Sequence, residues 1–232
     1  MKIAMINFSG NVGKSTLAQH MILPRIKDAV FIPVESINAD DSEVESVRGK
    51  EFGDLTEYLA TQDAAVVDVG ASNVEDFVRL MKQFRGSHQD FDYYIIPTVK
   101  EKKQQKDTVA TIEALSAIGV PASKIRLIFN KIEVDEKVES SFSSIFAYHD
   151  SSKKFWLNPA AAVQDNEVFD RLKPLKVGVS ELVADKTDYR AKISEAKDPN
   201  EKQAMIRMLS AQRLAHSASE NLDAVFKLVF KK

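Results

Sequence analysis

Residues 6–20, INFSGNVGKSTLAQH, contain a lysine and two hydroxyls at the spacing of a phosphate-binding loop. The usual pattern is G-x-x-x-x-G-K-[ST], and Gly13, Lys14 and Ser15 match its second half, whereas its first glycine falls on Phe8. In such a loop backbone N–H groups surround an anion, the lysine reaches the β- and γ-phosphates, and the hydroxyl binds Mg²⁺. The stretch therefore predicts a binding site for a nucleoside triphosphate. The alternative is a chance G-K-S sequence at the start of a helix.

A single carboxylate, Asp68, stands near the end of the apolar run AAVVDVG at residues 64–70. An aspartate at the end of a buried strand beside a phosphate loop can hold magnesium through water. The sequence thus predicts Ser15 and Asp68 as magnesium ligands, and Gly70 suits a loop that senses the γ-phosphate. The alternative for Asp68 is an acid that caps the next turn.

The stretch FNKIE, residues 129–133, resembles the N-K-x-D base-reading motif of phosphate-loop proteins. The amide of Asn130 can pair with the edge of a base, and Lys131 can lie along its face. Glu133 takes the place of the aspartate that reads guanine in that motif.

The stretch KEKKQQK, residues 100–106, places four lysines and one acid on the loop that is predicted after the fourth strand. A solvated loop is the commoner explanation of such a run. The functional interpretation is a sequence-blind contact of Lys100, Lys102, Lys103 and Lys106 with the phosphate backbone of DNA.

Apolar runs alternate with helical patterns along the first 180 residues. Strands are predicted at residues 2–8, 29–36, 64–70, 92–97 and 124–130, with a sixth candidate at 153–157, and helices at 14–23, 74–84 and 107–118. This alternation predicts a three-layer α/β fold with a mostly parallel sheet between helices, and ligands of such sheets bind at the carboxyl ends of the strands. Residues 181–232 are expected to form a helical extension, broken near Asp198–Pro199, on the same domain as residues 1–180.

The composition excludes several classes of function. The chain has 232 residues, no cysteine and four histidines, which argues against thiolate and zinc sites. The formal charge of −2 gives no global attraction to DNA or anionic lipid. Neither a signal peptide nor an apolar run of about 18 residues is evident, so we expect a cytoplasmic protein.

The loop is similar to the deviant Walker A motif of the ParA/MinD family of ATPases, K-G-G-x-x-G-K-[ST], when it is aligned on Gly13 and Lys14. Gly10 is then the first glycine, and Asn11 replaces the second with a residue type that tolerates left-handed backbone. The resemblance covers about residues 1–180 and implies ATP with Mg²⁺ as the ligand. The residues expected to hold ATP are Gly10, Asn11, Val12, Gly13, Lys14, Ser15, Thr16, Asn130 and Lys131, with Asn130 on adenine.

Two positions depart from the pattern of the family. A family lysine that reaches across a dimer to the partner's phosphates is replaced by Ser9, which leaves the route to hydrolysis open. Of two acids that follow the second strand, Glu35 matches the first and Ile37 replaces the second, with Asp40 and Asp41 nearby. The expected catalytic residues are therefore Lys14, Glu35 and Asp68, with Glu35 positioning the attacking water.

The resemblance implies an ATP-switched role in plasmid stability or partition, with slow hydrolysis, a DNA-binding partner protein encoded alongside, and a homodimer. One alternative is a nucleotide-stabilised binding scaffold with negligible turnover, which Ser9 and Ile37 favour. A small-molecule kinase or ligase on the same fold is a further alternative, and the sequence shows no acceptor-site signature for it.

The C-terminal stretch NLDAVFKLVFKK carries an apolar stripe with helical spacing. The stripe consists of Leu222, Val225, Phe226, Val229 and Phe230. A terminal helix packed on the core or on a partner is the commoner explanation, and weak contact with a membrane surface is the alternative.

Overall fold

The computed structural model describes residues 1–34, 44–175 and 177–231, and of residues 44–50 it describes the backbone alone. Six strands form one sheet in the order β2-β3-β1-β4-β5-β6, and all neighbouring pairs are parallel. The strands are β1 Lys2–Met5, β2 Val30–Val34, β3 Ala65–Val69, β4 Tyr93–Thr98, β5 Ile125–Ile132 and β6 Ala162–Gln164.

Ten α-helices occur in the described ranges, and they cover both faces of the sheet. They are α1 Lys14–Leu17, α2 Val44–Thr61, α3 Val74–Gln83, α4 Lys102–Ala117, α5 Val138–Ser141, α6 Ser143–Ser152, α7 Val168–Leu175, α8 Val179–Ala184, α9 Tyr189–Glu195 and α10 Pro199–Val229. The helix that begins with α1 continues as a π turn over Ala18–Ile22 and a 3₁₀ turn over Leu23–Arg25.

The sheet separates two apolar layers. On one face α2, α3 and α4 contribute buried side chains such as Phe52, Phe77 and Ile112, and on the other face α1 and α10 contribute Leu17 and Leu222. The central strands are apolar on both faces because both faces are covered, so they appear in the sequence as continuous apolar runs. The predicted three-layer α/β fold is confirmed.

The position of β2 agrees with its proline. Pro33 cannot donate a ladder hydrogen bond, and β2 lies at the edge of the sheet, where one side of the strand has no neighbour.

Two predictions of local structure are wrong. The sixth strand is β6, Ala162–Gln164, whereas residues 153–157 contribute only an isolated bridge between Trp156 and Arg126. The lysine-rich stretch is not all loop, since α4 begins at Lys102. Residues 102–106 are lysines and glutamines, which favour helix, and neither glycine nor proline interrupts them.

The apolar stripe of α10 packs inside the molecule. Leu222, Val225 and Val229 are buried against the sheet, and the half-buried Phe226 and Phe230 lie with ring centres 4.7 Å apart. This arrangement agrees with a helix packed on the core, and membrane contact stays a prediction. Across the described ranges, no helix has both the length and the hydropathy to span a bilayer.

Candidate nucleotide-binding site

The loop between β1 and α1 uses left-handed backbone at two positions. Asn11 has a φ of 59° and Gly13 has a φ of 90°. Asparagine tolerates this region better than most residues, whereas Gly13 also approaches Asn130 so closely that a Cβ there would lie 2.1 Å from its Nδ2. Gly10 differs, because its added Cβ would meet only the Cβ of Ala71, at 4.0 Å.

Hydrogen bonds from the core fix the entry to the loop. Asn7 is fully buried and donates from Nδ2 to the carbonyl of Pro97 at 2.8 Å and to Oγ1 of Thr108 at 2.9 Å. The backbone N–H of Phe8 donates to Oγ1 of Thr111 at 3.0 Å. Our sequence reasoning missed these three polar side chains. Their signal was an asparagine ending an apolar run and two threonines on the inward side of a helix.

Ser9 joins the loop to α4. Its backbone N–H donates to Oδ1 of Asn7 at 2.8 Å, and its Oγ donates to Oδ2 of Asp107 at 2.6 Å. The residue is 5% exposed. Ser9 therefore acts as an anchor between the loop and a helix of the same chain.

Lys14 lies within the loop, 7% exposed. Its Nζ donates to the carbonyls of Ser9 at 2.8 Å and Asn7 at 3.1 Å. Burial lowers the pKa of Lys14 to about 8, and the negative charge of Asp68 partly opposes this shift. The ammonium group is thus held at the loop by neutral carbonyl oxygens, which an anion can replace.

The two predicted magnesium ligands come from neighbouring elements. Asp68 is buried and pairs in register with Met5, so its carboxylate belongs to the strand beside β1, and its charge acts on Lys14. Ser15 is exposed in the first turn of α1. A hydroxyl and a carboxylate are oxygen donors that suit Mg²⁺, which keeps several waters and phosphate oxygens as its other ligands. In the described ranges, no group of three or more His, Cys, Asp or Glu residues could hold a metal on its own.

Asn130 supports the loop from β5. It is 6% exposed, and its Nδ2 donates to the carbonyl of Val12 at 2.9 Å. Lys131 follows with a left-handed φ of 58° and an exposed side chain. Asn130 thus packs against the phosphate loop, and its contact with a base stays a prediction.

A cavity of about 760 Å³ opens beside α1, where Ser15 and Thr16 form part of its wall. Its other wall comes from α7, α8 and the segment between them. The rings of His20 and Phe169 lie 5.9 Å apart in this wall. Burial lowers the pKa of His20, and the charge of Glu181 opposes the shift. The volume falls within the range of about 300–1,000 Å³ that is typical of ligand sites.

The four lysines of residues 100–106 divide into two groups. Nζ of Lys100 donates to Oε1 of Glu133 at 2.6 Å, which raises the pKa of Lys100. Lys102, Lys103 and Lys106 are exposed on the first turns of α4. Glu133 thus neutralises the first lysine and leaves the other three as the positively charged surface.

The predicted water-positioning acid cannot be located in the site. Glu35, Ile37, Asp40 and Asp41 all lie outside the described residues.

Comparison with protein-family models and with curated proteins finds no match. Among solved structures, apo McdA from Cyanothece is similar at 14% identity, with a TM-score of 0.52 over 90% of this chain and 98% of that chain. At this identity the likeness shows a shared fold and nothing about activity.

Two further structures superpose less closely. An ATP complex of a McdA variant from Cyanothece has a TM-score of 0.47 at 14% identity, over 92% of this chain and 96% of that chain. A plasmid partition protein from Borrelia burgdorferi has a TM-score of 0.43 at 15% identity, over 76% of this chain and 94% of that chain. With TM-scores below 0.5, neither bears on the function of this protein.

Proposed function

We propose that the protein binds ATP with Mg²⁺ and acts as a nucleotide-switched protein in plasmid stability or partition, of the StbB type within the ParA/MinD-like ATPases. The observation that carries the nucleotide site is the buried Lys14, whose Nζ donates to two loop carbonyls. The plasmid role rests on the resemblance of the loop sequence to this family.

Each loop residue has a distinct role in this proposal. The backbone from Gly10 to Thr16 surrounds the phosphates, and Lys14 leaves the carbonyls of Asn7 and Ser9 to contact the β- and γ-phosphates. Ser15 and Asp68 hold Mg²⁺, which neutralises phosphate charge when bound. Glu35 positions the attacking water.

The contact between Asn130 and Val12 favours adenine over guanine. The carbonyl of Val12 can only accept a hydrogen bond, so the amide nitrogen of Asn130 must face it. The side-chain oxygen, which accepts, and the second N–H of the amide, which donates, are then the groups left for a base. This pair matches the 6-amino donor and the N7 acceptor of adenine, whereas guanine presents two acceptors at the same edge. We therefore expect ATP to bind more tightly than GTP.

A change in the bound nucleotide can affect the lysines of α4, because the loop is hydrogen-bonded to that helix. Asn7, Phe8 and Ser9 all bond to α4, and Lys102, Lys103 and Lys106 stand on its first turns. A loop that rearranges around ATP would move this helix and change contact with DNA or with a DNA-binding partner protein. The contact with DNA is electrostatic and therefore sensitive to salt.

The test is fluorescence anisotropy of a labelled, arbitrary DNA duplex with and without ATP–Mg²⁺. Binding should depend on ATP, and replacing the three α4 lysines by glutamine should weaken it by at least about tenfold at low salt. The matched control replaces Lys192, Lys197 and Lys202, which are exposed on α9, α10 and the segment between them. Equal loss in both triple variants, or no dependence on ATP, would contradict the proposed DNA contact.

The bond between Ser9 and Asp107 favours a second candidate, a nucleotide-stabilised scaffold with negligible turnover. A serine tied to its own helix offers no cation to a neighbouring molecule, and a cation at the transition state is worth orders of magnitude in rate. A steady-state phosphate-release assay with partner and DNA present separates the two. Release above background that Lys14→Ala abolishes supports the ATPase, and background release under every condition supports the scaffold.

A further inference from the structure

A second group of cations lies at the amino-terminal ends of the strands, opposite the end that carries the phosphate-binding loop. Arg126 is the second residue of β5, Tyr93 begins β4, and Trp156 bridges to Arg126 from the chain before β6. We call Tyr93, Arg126 and Trp156 the arginine clamp. Because parallel strands all begin at the same end of the sheet, the arginine clamp lies at the end opposite to the phosphate-binding loop.

The clamp holds the guanidinium between two rings. The central carbon of the Arg126 guanidinium lies 5.2 Å from the ring centre of Tyr93 and 5.0 Å from that of Trp156. A backbone hydrogen bond fixes the position of Trp156, because its backbone N–H donates to the carbonyl of Ile125 at 2.8 Å. Phe230 packs edge-on against Tyr93, with ring centres 5.3 Å apart. Rings and backbone together fix the plane of the guanidinium.

In the described part of the chain, the positive charge of the clamp has no counter-ion. Within the described residues Arg126 makes no ion pair, and its buried Nε has no hydrogen-bond partner. Lys124, two residues earlier, donates to the carbonyls of Phe91 at 2.6 Å and Gln89 at 3.3 Å. Among the described residues, the two cations have neutral oxygens and aromatic rings as their partners.

Both cations line a cavity of about 510 Å³, together with Tyr93, Ser123 and Asp92. The carboxylate of Asp92 accepts the backbone N–H of Lys2 at 2.7 Å, which holds it toward β1. It also lies 4.0 Å from the N-terminal ammonium of Met1, another residue of the cavity wall, and its negative charge would repel a bound anion.

We propose that this cavity binds a carboxylate, presented by a small organic acid or by an acidic side chain of a peptide. A guanidinium fixed in plane offers two parallel N–H donors, which match the two coplanar oxygens of a carboxylate. Lys124 adds a second positive charge, and Ser123 adds a hydroxyl. Such a ligand supplies the counter-ion that Arg126 and Lys124 lack.

The chain contains a single tryptophan, and it lies in the clamp, so its fluorescence reports on this cavity. The experiment titrates the full chain, without nucleotide, with succinate and separately with a blocked tetraglutamate peptide. A saturable change with either ligand is expected, and the tighter of the two identifies the source of the carboxylate. Inorganic phosphate, two of whose oxygens can also bind a guanidinium, is titrated in parallel to separate the two classes of ligand.

Four variants test the assignment, with circular dichroism as the check on folding. Arg126→Lys keeps the charge but loses the planar fork, and we expect about tenfold weaker binding. Lys124→Gln should weaken binding by about threefold and Asp92→Asn should strengthen it by a similar factor, because they remove one attraction and one repulsion. Lys202→Gln, at the exposed start of α10, should change nothing.

The proposal is overturned by any of four results. These are a non-saturable response, a change that sodium chloride reproduces at equal ionic strength, unaltered affinity in both Arg126→Lys and Lys124→Gln, and binding of phosphate that equals or exceeds that of both carboxylate ligands. None of these outcomes touches the phosphate loop, so ATP binding remains an independent question.

Discussion

The two ends of the sheet hold positive charge in different ways. At the carboxyl end, Lys14 is buried in a loop of contiguous residues and is held by carbonyls. At the amino end, Arg126 lies between aromatic rings that come from residues 93 and 156. The first arrangement needs particular residue types at fixed spacing, so it appears as a motif, whereas the second is assembled by strand pairing and leaves no motif. The same sheet can therefore carry one site that the sequence reveals and one that it hides.

The sharpest way to break the carboxyl-end arrangement is Gly13→Ala. The left-handed φ strains the alanine, and its Cβ would displace the amide of Asn130 from Val12. The two effects together should cost about 3 kcal/mol of unfolding free energy and abolish ATP binding. Urea denaturation measures the unfolding free energy, and calorimetry measures ATP binding.

Gly10→Ala is the matched control, because its backbone is not left-handed and its Cβ has room. Its unfolding free energy should stay within about 0.5 kcal/mol of the parent. Equal losses of unfolding free energy in the two variants would contradict a special need for left-handed backbone at Gly13.

A smaller loss of unfolding free energy is expected when one hydrogen bond between the loop and α4 is removed. Thr111→Val keeps the shape of the side chain but leaves the N–H of Phe8 without its acceptor. An unpaired buried N–H should cost about 1–2 kcal/mol in urea denaturation. Thr61→Val, at an exposed threonine at the end of α2, should cost almost nothing, and a similar loss there would contradict the special role of the α4 threonines.

The buried position of Lys14 predicts that ATP binding depends on pH. Its pKa is about 8 in the ligand-free protein, and bound phosphates favour the charged form. The affinity for ATP should therefore be nearly constant below pH 8 and fall as pH rises above it, by about tenfold between pH 7 and pH 9. Calorimetry in buffers of different ionisation enthalpy should show proton uptake at pH 9. An unchanged affinity up to pH 9 would contradict the lowered pKa.

The sequence predicts the central strands and the loop because their signals are local. β3 is buried at every position and stands out as an apolar run, and the strand, loop and helix around Lys14 are contiguous. The edge strand β6 is only three residues long and has no such signal, so the sequence points to the apolar KKFWL stretch in its place. The sequence does not predict α2, because VESVRGKEFGDLTEYLAT has a weak apolar stripe interrupted by two glycines.

Within the site, the sequence predicts which residues carry charge but not what they contact. The sequence predicts that Asn130 contacts a base, but it does not predict that the amide also donates to the carbonyl of Val12. Ser9 was recognised as the replacement of a lysine, but its bond to Asp107 depends on α4 lying beside the loop, which only the fold brings about. Contacts between residues about a hundred positions apart cannot be read from spacing along the chain.

Isothermal titration calorimetry of ATP–Mg²⁺ with the parent chain and with Lys14→Ala tests the central claim most directly. Saturable binding of one ATP per chain is expected, with no measurable heat of binding in Lys14→Ala and unchanged affinity in the exposed-lysine control Lys202→Ala. Equal affinity for ATP in the parent and in a folded Lys14→Ala would contradict the assignment of residues 10–16 as a phosphate-binding loop.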